Sequence, residues 1–157
     1  MIKIMADCWN ANKDKLREVL ANRTDLNTCD YELLIKLTFE NIFNNRETEY
    51  MYDETLDLDN ITIIDNGSYQ GTLIFMIPFD TYQPSEGEYL MTYIGYGSCS
   101  GCDALQAAQY WSDEKLTETQ LSDFMLICKD IVCNTIKPYN CGWRENEKYL
   151  PVEDTIE

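Results

Sequence analysis

A chain of 157 residues is the size of one ordinary domain, and with 45% of its residues apolar it can close a single core. Twenty-eight carboxylates face twelve basic side chains, giving a formal charge of −16, and there is no histidine. This disfavours direct binding to DNA, RNA or an anionic membrane, which needs a basic face for counterion release, and it excludes any histidine-dependent triad. No run approaches the roughly 20 continuous apolar residues of a membrane-spanning helix. Residues 1–9 lack the apolar region and cleavage site of a secretory signal, so the expected location is the cytoplasm.

The chain divides into a helical part (1–45), an acidic segment (46–60), a strand-and-helix part (61–143) and a charged tail (144–157), all expected within one domain. In the first part, Asn12 can cap a helix containing Leu16, Val19 and Leu20. Asp30 can cap a longer one with Leu34, Leu37, Phe39, Ile42 and Phe43, ended by Asn44-Asn45. A polar turn between them predicts a helical hairpin.

Residues 47–59 alternate Glu47, Glu49, Asp53, Glu54, Asp57 and Asp59 with Tyr50, Met51, Tyr52, Leu56 and Leu58. They read as an acidic loop or a short edge strand. Three β-rich runs follow, 61–64, 72–77 and 88–96, and Asn66-Gly67 marks a turn between the first two. They predict an antiparallel meander whose third strand has both faces at least partly covered.

After the third strand comes a short helix near Ala104, and then a long one opened by the capping-box spacing of Thr117 and Gln120. Its apolar positions run through Phe124, Cys128, Ile131 and Val132 to Ile136, and Pro138 ends it. The fold class is therefore α+β: a helical hairpin, a three-stranded antiparallel meander, then a short and a long helix packed on the sheet.

Between the third strand and the short helix stands Gly97-Ser-Cys-Ser-Gly-Cys-Asp103. A Cys-x-x-Cys between a strand and a helix resembles the placement in thioredoxin-like proteins, where helix-end amides lower a thiol pKa. The thioredoxin order of a βαβ unit before the motif and a cis-proline strand after it is missing. For zinc, Cys99 and Cys102 supply half of a tetrahedral site, and Cys141 with a carboxylate would have to complete it. The structural reading is a tight junction. In it Gly95, Gly97 and Gly101 allow positive φ or close approach, Ser98 or Ser100 can cap the helix, Asp103 suits its first turn, and the cysteines are small enough to bury. Cys128 and Cys133 read as core.

Tyr69-Gln-Gly71 opening one strand, with Gly95-Tyr-Gly-Ser-Cys-Ser-Gly-Cys-Asp-Ala-Leu-Gln106 ending another, resembles a group of small, mostly uncharacterised proteins encoded by bacteriophages and bacteria. The likeness spans about the middle third of the chain. It implies a mobile-element setting, and thus a host cytoplasm, and a βββα unit. It brings no catalytic residue with it.

Elsewhere, Asp57-Leu-Asp-Asn60 and Asp65-Asn-Gly67 lack full calcium-loop spacing and read as turns. No Walker loop, dinucleotide fingerprint or serine elbow occurs. Eleven tyrosines are many for this length. Tyr89 and Tyr93 suit half-buried strands, whereas Tyr50 and Tyr52 suit an interface.

The resulting expectation is a non-enzymatic, cofactor-free protein that binds a basic host protein, with contacts from Glu49, Tyr50, Tyr52, Asp53, Glu54, Asp57 and Asp59. Its sharpest form is a phage-encoded inhibitor of a host nucleic-acid-binding or defence factor, the carboxylates standing in for phosphates. The charge as mere solubility is the plainer reading. The alternative function is a thiol-redox or zinc-binding protein using Cys99 and Cys102.

Overall fold

In the computed structural model, residues 2–45, 55–109 and 116–136 are described. Glu49, Tyr50, Tyr52, Asp53, Glu54, Cys141 and the charged tail lie outside them.

The chain begins with helix α1 (Ile2–Ala21). Its buried residues, Met5, Ala6, Cys8, Trp9, Leu16 and Leu20, recur at helical spacing and form one apolar stripe. The helix thus starts ten residues before the cap expected at Asn12. Asn12 sits mid-helix, its amide donating to the Cys8 carbonyl at 2.9 Å. The apolar residues before it extend the stripe backwards, and burying them outweighs the local preference of Asn for a terminus.

A short 3₁₀ turn (Leu26–Thr28) leads to α2 (Tyr31–Phe39). Asp30 caps α2 as expected, accepting the Leu33 N–H at 2.9 Å. The helix continues as one wide π turn (Glu40–Asn44). Asn44 then docks on the chain at Leu56, accepting its N–H at 2.7 Å and donating to its carbonyl at 2.9 Å. In this way a side chain supplies the pairing that a neighbouring strand would give.

The sheet is an antiparallel meander of β1 (Thr62–Asp65), β2 (Gly71–Pro78) and β3 (Tyr89–Tyr96), in that spatial order. Its register sets Leu73 against Ile94, Phe75 against Thr92 and Ile77 against Leu90 on the face turned to the helices. On the other face, Ile74 lies opposite Tyr93 and Met76 opposite Met91, all half-buried or exposed. Period-two alternation thus separates core from surface in β2 and β3. All four residues of β1 are exposed, so the helical layer does not reach across it.

Helices α3 (Ala104–Ala108) and α4 (Glu118–Cys133) complete the described elements. The capping box of α4 forms between Thr117 and Gln120. Phe124, Cys128, Ile131 and Val132 of α4 are fully buried, and the Thr92 hydroxyl donates to the Ile131 carbonyl at 2.7 Å, joining sheet to helix. Cys128 is thus core, as expected, and Cys133 is half-buried beside it.

The apolar period predicts α4 as far as Ile136, but the helix stops at Cys133. Ile136 instead pairs with Met91, through N–H···O bonds of 2.8 and 2.7 Å. The open edge of β3 offers Met91 an unpaired donor and acceptor, and pairing them outweighs another helical turn.

Candidate functional site

The link from β3 to α3 is where the sequence concentrates small and reactive residues. Gly97 is required there by space: a Cβ would lie 2.3 Å from the Cys102 carbonyl oxygen and 2.5 Å from its sulfur. The chain turns back on itself through a Cys102 N–H to Cys99 carbonyl bond of 2.9 Å. Neither Ser98 nor Ser100 caps α3. Asp103 does, accepting the Gln106 N–H at 3.0 Å.

Asp103 is buried and holds more than the helix end. One carboxylate oxygen also accepts the Tyr31 hydroxyl at 3.0 Å, and the other accepts the Gly97 N–H at 3.0 Å. The Tyr31 oxygen in turn accepts the Leu105 N–H at 3.2 Å. Gln106 closes the far side by donating its side-chain amide to the Gly97 carbonyl at 3.2 Å. Burial keeps the Tyr31 phenol protonated well above its ordinary range, so it remains a donor to Asp103. Tyr31 was not singled out in the sequence, because it lies 72 positions from Asp103 and no local pattern links them.

The framework presents both thiols outward, small as they are. The sulfurs of Cys99 and Cys102 approach to 2.9 Å. Cys102 Sγ lies 3.1 Å from the Cys99 N–H and 3.3 Å from the Cys99 carbonyl oxygen. As a thiol it can donate to the carbonyl, and as a thiolate it can accept the amide. The Cys99 thiol, then the Cys99 and Ser98 backbone amides and the Ser98 side chain, hold Cys102 below the usual thiol pKa. Burial acts the other way on Cys29 and Cys128, pushing them to about 11 and about 12.

Among the described residues, no group of three or more His, Cys, Asp or Glu could hold a metal ion. Both oxygens of Asp103 are taken by internal donors, leaving the two sulfurs alone at the turn. Cys141, the third ligand of the zinc alternative, lies outside the described residues.

Of the expected acidic contact residues, Asp57 and Asp59 are described. They line an open cavity of about 350 Å³ together with Glu40, Asn44, Leu56, Leu58 and Asp80. Asp57 is committed to turn geometry, accepting the Asp59 N–H at 3.1 Å and the Asn60 amide at 2.6 Å. Sequence order did not bring in Glu40 and Asp80; the π turn and the end of β2 place them there. No family model, curated protein or solved structure matches the chain, so the two thiols and the acidic cavity carry the functional argument.

Proposed function

We propose that this is a thiol–disulfide protein whose Cys99 and Cys102 cycle between a dithiol and an internal disulfide. The observation that carries this reading is two exposed sulfurs held 2.9 Å apart on a turn anchored by a buried carboxylate. A disulfide needs about 2.05 Å, so closure asks for a sulfur movement of about 1 Å with the frame intact. Oxidation by a disulfide R–S–S–R balances as two protein thiols giving one internal disulfide and two R–SH.

The test is equilibration of the full chain in defined ratios of reduced and oxidised glutathione, then acid quench, alkylation and peptide mapping. The expected result is a Cys99–Cys102 disulfide that reduces reversibly, at a potential above the roughly −300 mV typical of resistant structural bridges. A pair that stays reduced under fully oxidising glutathione, or that purifies with stoichiometric zinc, refutes it.

A second reading is favoured by the acidic cavity, whose lining among the described residues holds Glu40, Asp57, Asp59 and Asp80 and no basic residue. In it the protein binds a basic partner, in the bacteriophage setting a host nucleic-acid-binding or defence factor. Affinity capture from host lysate, repeated after neutralising Asp53, Glu54, Asp57 and Asp59, tests this. Undiminished capture of the same partner removes these carboxylates from the contact.

A further inference from the structure

Resting on the dithiol reading, we infer that Cys102 is the attacking thiol and Cys99 the resolving one. The argument is geometric. A negative charge on Cys102 Sγ is met by two donors, the Cys99 backbone N–H at 3.1 Å and the Cys99 thiol at 2.9 Å. Among the described residues, Cys99 Sγ has only the Cys102 sulfur within hydrogen-bonding reach.

The two thiols are also held differently. Cys102 adjoins Asp103, which is tied to Tyr31, Gly97 and Gln106, so its sulfur stands on a fixed base. Cys99 sits across the turn with its sulfur already against that of Cys102. An attacking thiol gains from fixed placement and charge stabilisation, whereas a resolving thiol needs only to reach its neighbour. The lowered pKa of Cys102 agrees with this division.

The chemistry runs in two displacements. The Cys102 thiolate attacks one sulfur of an exposed disulfide R–S–S–R′, forming Cys102–S–S–R and releasing R′–S⁻, which takes a proton from water. Cys99 then gives its proton to solvent and attacks the Cys102 sulfur. The internal disulfide forms, R–S⁻ leaves, and no other oxidant is needed. The protein's charge of −16 selects among such disulfides, favouring neutral or cationic ones over anionic oxidised glutathione.

The experiment uses the full chain and its C99S and C102S variants with the neutral disulfide 4,4′-dithiodipyridine, followed by stopped-flow absorbance and peptide mapping. C99S is expected to react more slowly than the unaltered protein, because the Cys99 thiol no longer supports the Cys102 thiolate, but still to react at Cys102 ahead of Cys99 in C102S and to accumulate a mixed disulfide there. Cys99 in C102S is expected to react at least about fivefold more slowly than Cys102 in C99S. Timed iodoacetamide labelling of the unaltered protein at neutral pH should modify Cys102 before Cys99, a readout that needs no variant. If the unaltered protein forms the internal disulfide but C102S is the faster variant, or the two variants match, the assignment is overturned and the dithiol reading stands. If C99S is the faster variant but no internal disulfide forms in the unaltered protein, Cys102 stands as the reactive thiol and the dithiol reading falls.

Discussion

Tyr31→Phe deletes one oxygen from the frame beneath the thiols and leaves the buried ring in place. That oxygen donates to Asp103 at 3.0 Å and accepts from Leu105 at 3.2 Å. A hydrogen bond to a charged group is worth about 1.5–3 kcal/mol, so with the Leu105 amide also losing its acceptor, the loss should be about 2–3 kcal/mol. Asp103→Ala strips acceptors from Tyr31, Gly97 and Gln106 and removes the α3 cap, for about 3–5 kcal/mol. Because the two residues share a bond, the double variant should cost less than the sum, by about 1.5–2.5 kcal/mol. Urea unfolding under reducing conditions, followed by far-UV circular dichroism, measures all three differences. Tyr82→Phe, at a residue 97% exposed, is the control and should be neutral. A coupling below about 0.5 kcal/mol, or a Tyr31→Phe variant as stable as the control, would show that Tyr31 and Asp103 merely sit near each other.

Gly97→Ala should force the turn open, because its methyl would overlap the Cys102 carbonyl. It should cost about 1–3 kcal/mol in urea and slow closure of the internal disulfide. Thr117→Ala breaks the α4 capping box and should cost about 1 kcal/mol, read as a lowered Tm by calorimetry. At alkaline pH, Cys128 and Cys29 remain protonated in the folded chain up to about 12 and about 11, against 9.0 for an ordinary thiol. The unfolded chain releases these protons first. Their stabilisation is therefore full below about pH 9 and is lost progressively as pH rises towards the folded values. Denaturant titrations from pH 8 to 11 should show that decline, and Cys128→Ala should flatten it; an unchanged slope would place the titrating group elsewhere.

The parts of the fold that were legible in the sequence rest on short-range chemistry. Asp30 and Thr117 bond to amides three residues on, and the β1–β2 turn is spelled by adjacent residues, with Asp65 accepting from Gly67 at 2.9 Å and Asn66 from Thr72 at 2.8 Å. Asn12 lies inside α1 although it is a good capping residue, because a capping Asn and a helix-interior Asn look alike until the preceding apolar stripe is weighed with it. Ile136 follows Val132 at helical spacing, yet it is 42% exposed and bonds a strand edge that the period does not reveal.

At the candidate site, residue types were readable but placement was not. Small residues around Cys99 and Cys102 fit a buried junction as well as an exposed one. What turns the thiols outward is Asp103 folding inward to meet Tyr31, a contact between distant parts of the chain. Asp57 and Asp59 were recognisable as acidic, while the cavity they share with Glu40 and Asp80 exists only once the π turn and the end of β2 meet at Leu56.

Helix α2 and its π turn carry Tyr31 at one end and Asn44 at the other, residues 31 and 44, roughly 20 Å apart at about 1.5 Å per residue. Between them Leu34, Ile35, Phe39 and Ile42 are fully enclosed by neighbours. The thiol turn and the wall of the acidic cavity are therefore fastened to opposite ends of one beam set in the middle of the protein. Asp103 beneath the thiols bonds Tyr31 and Leu56 at the cavity bonds Asn44, so any displacement of this helix would involve an anchor of both places. Amide exchange along residues 31–44 should accordingly slow or quicken as a block when the thiols are oxidised.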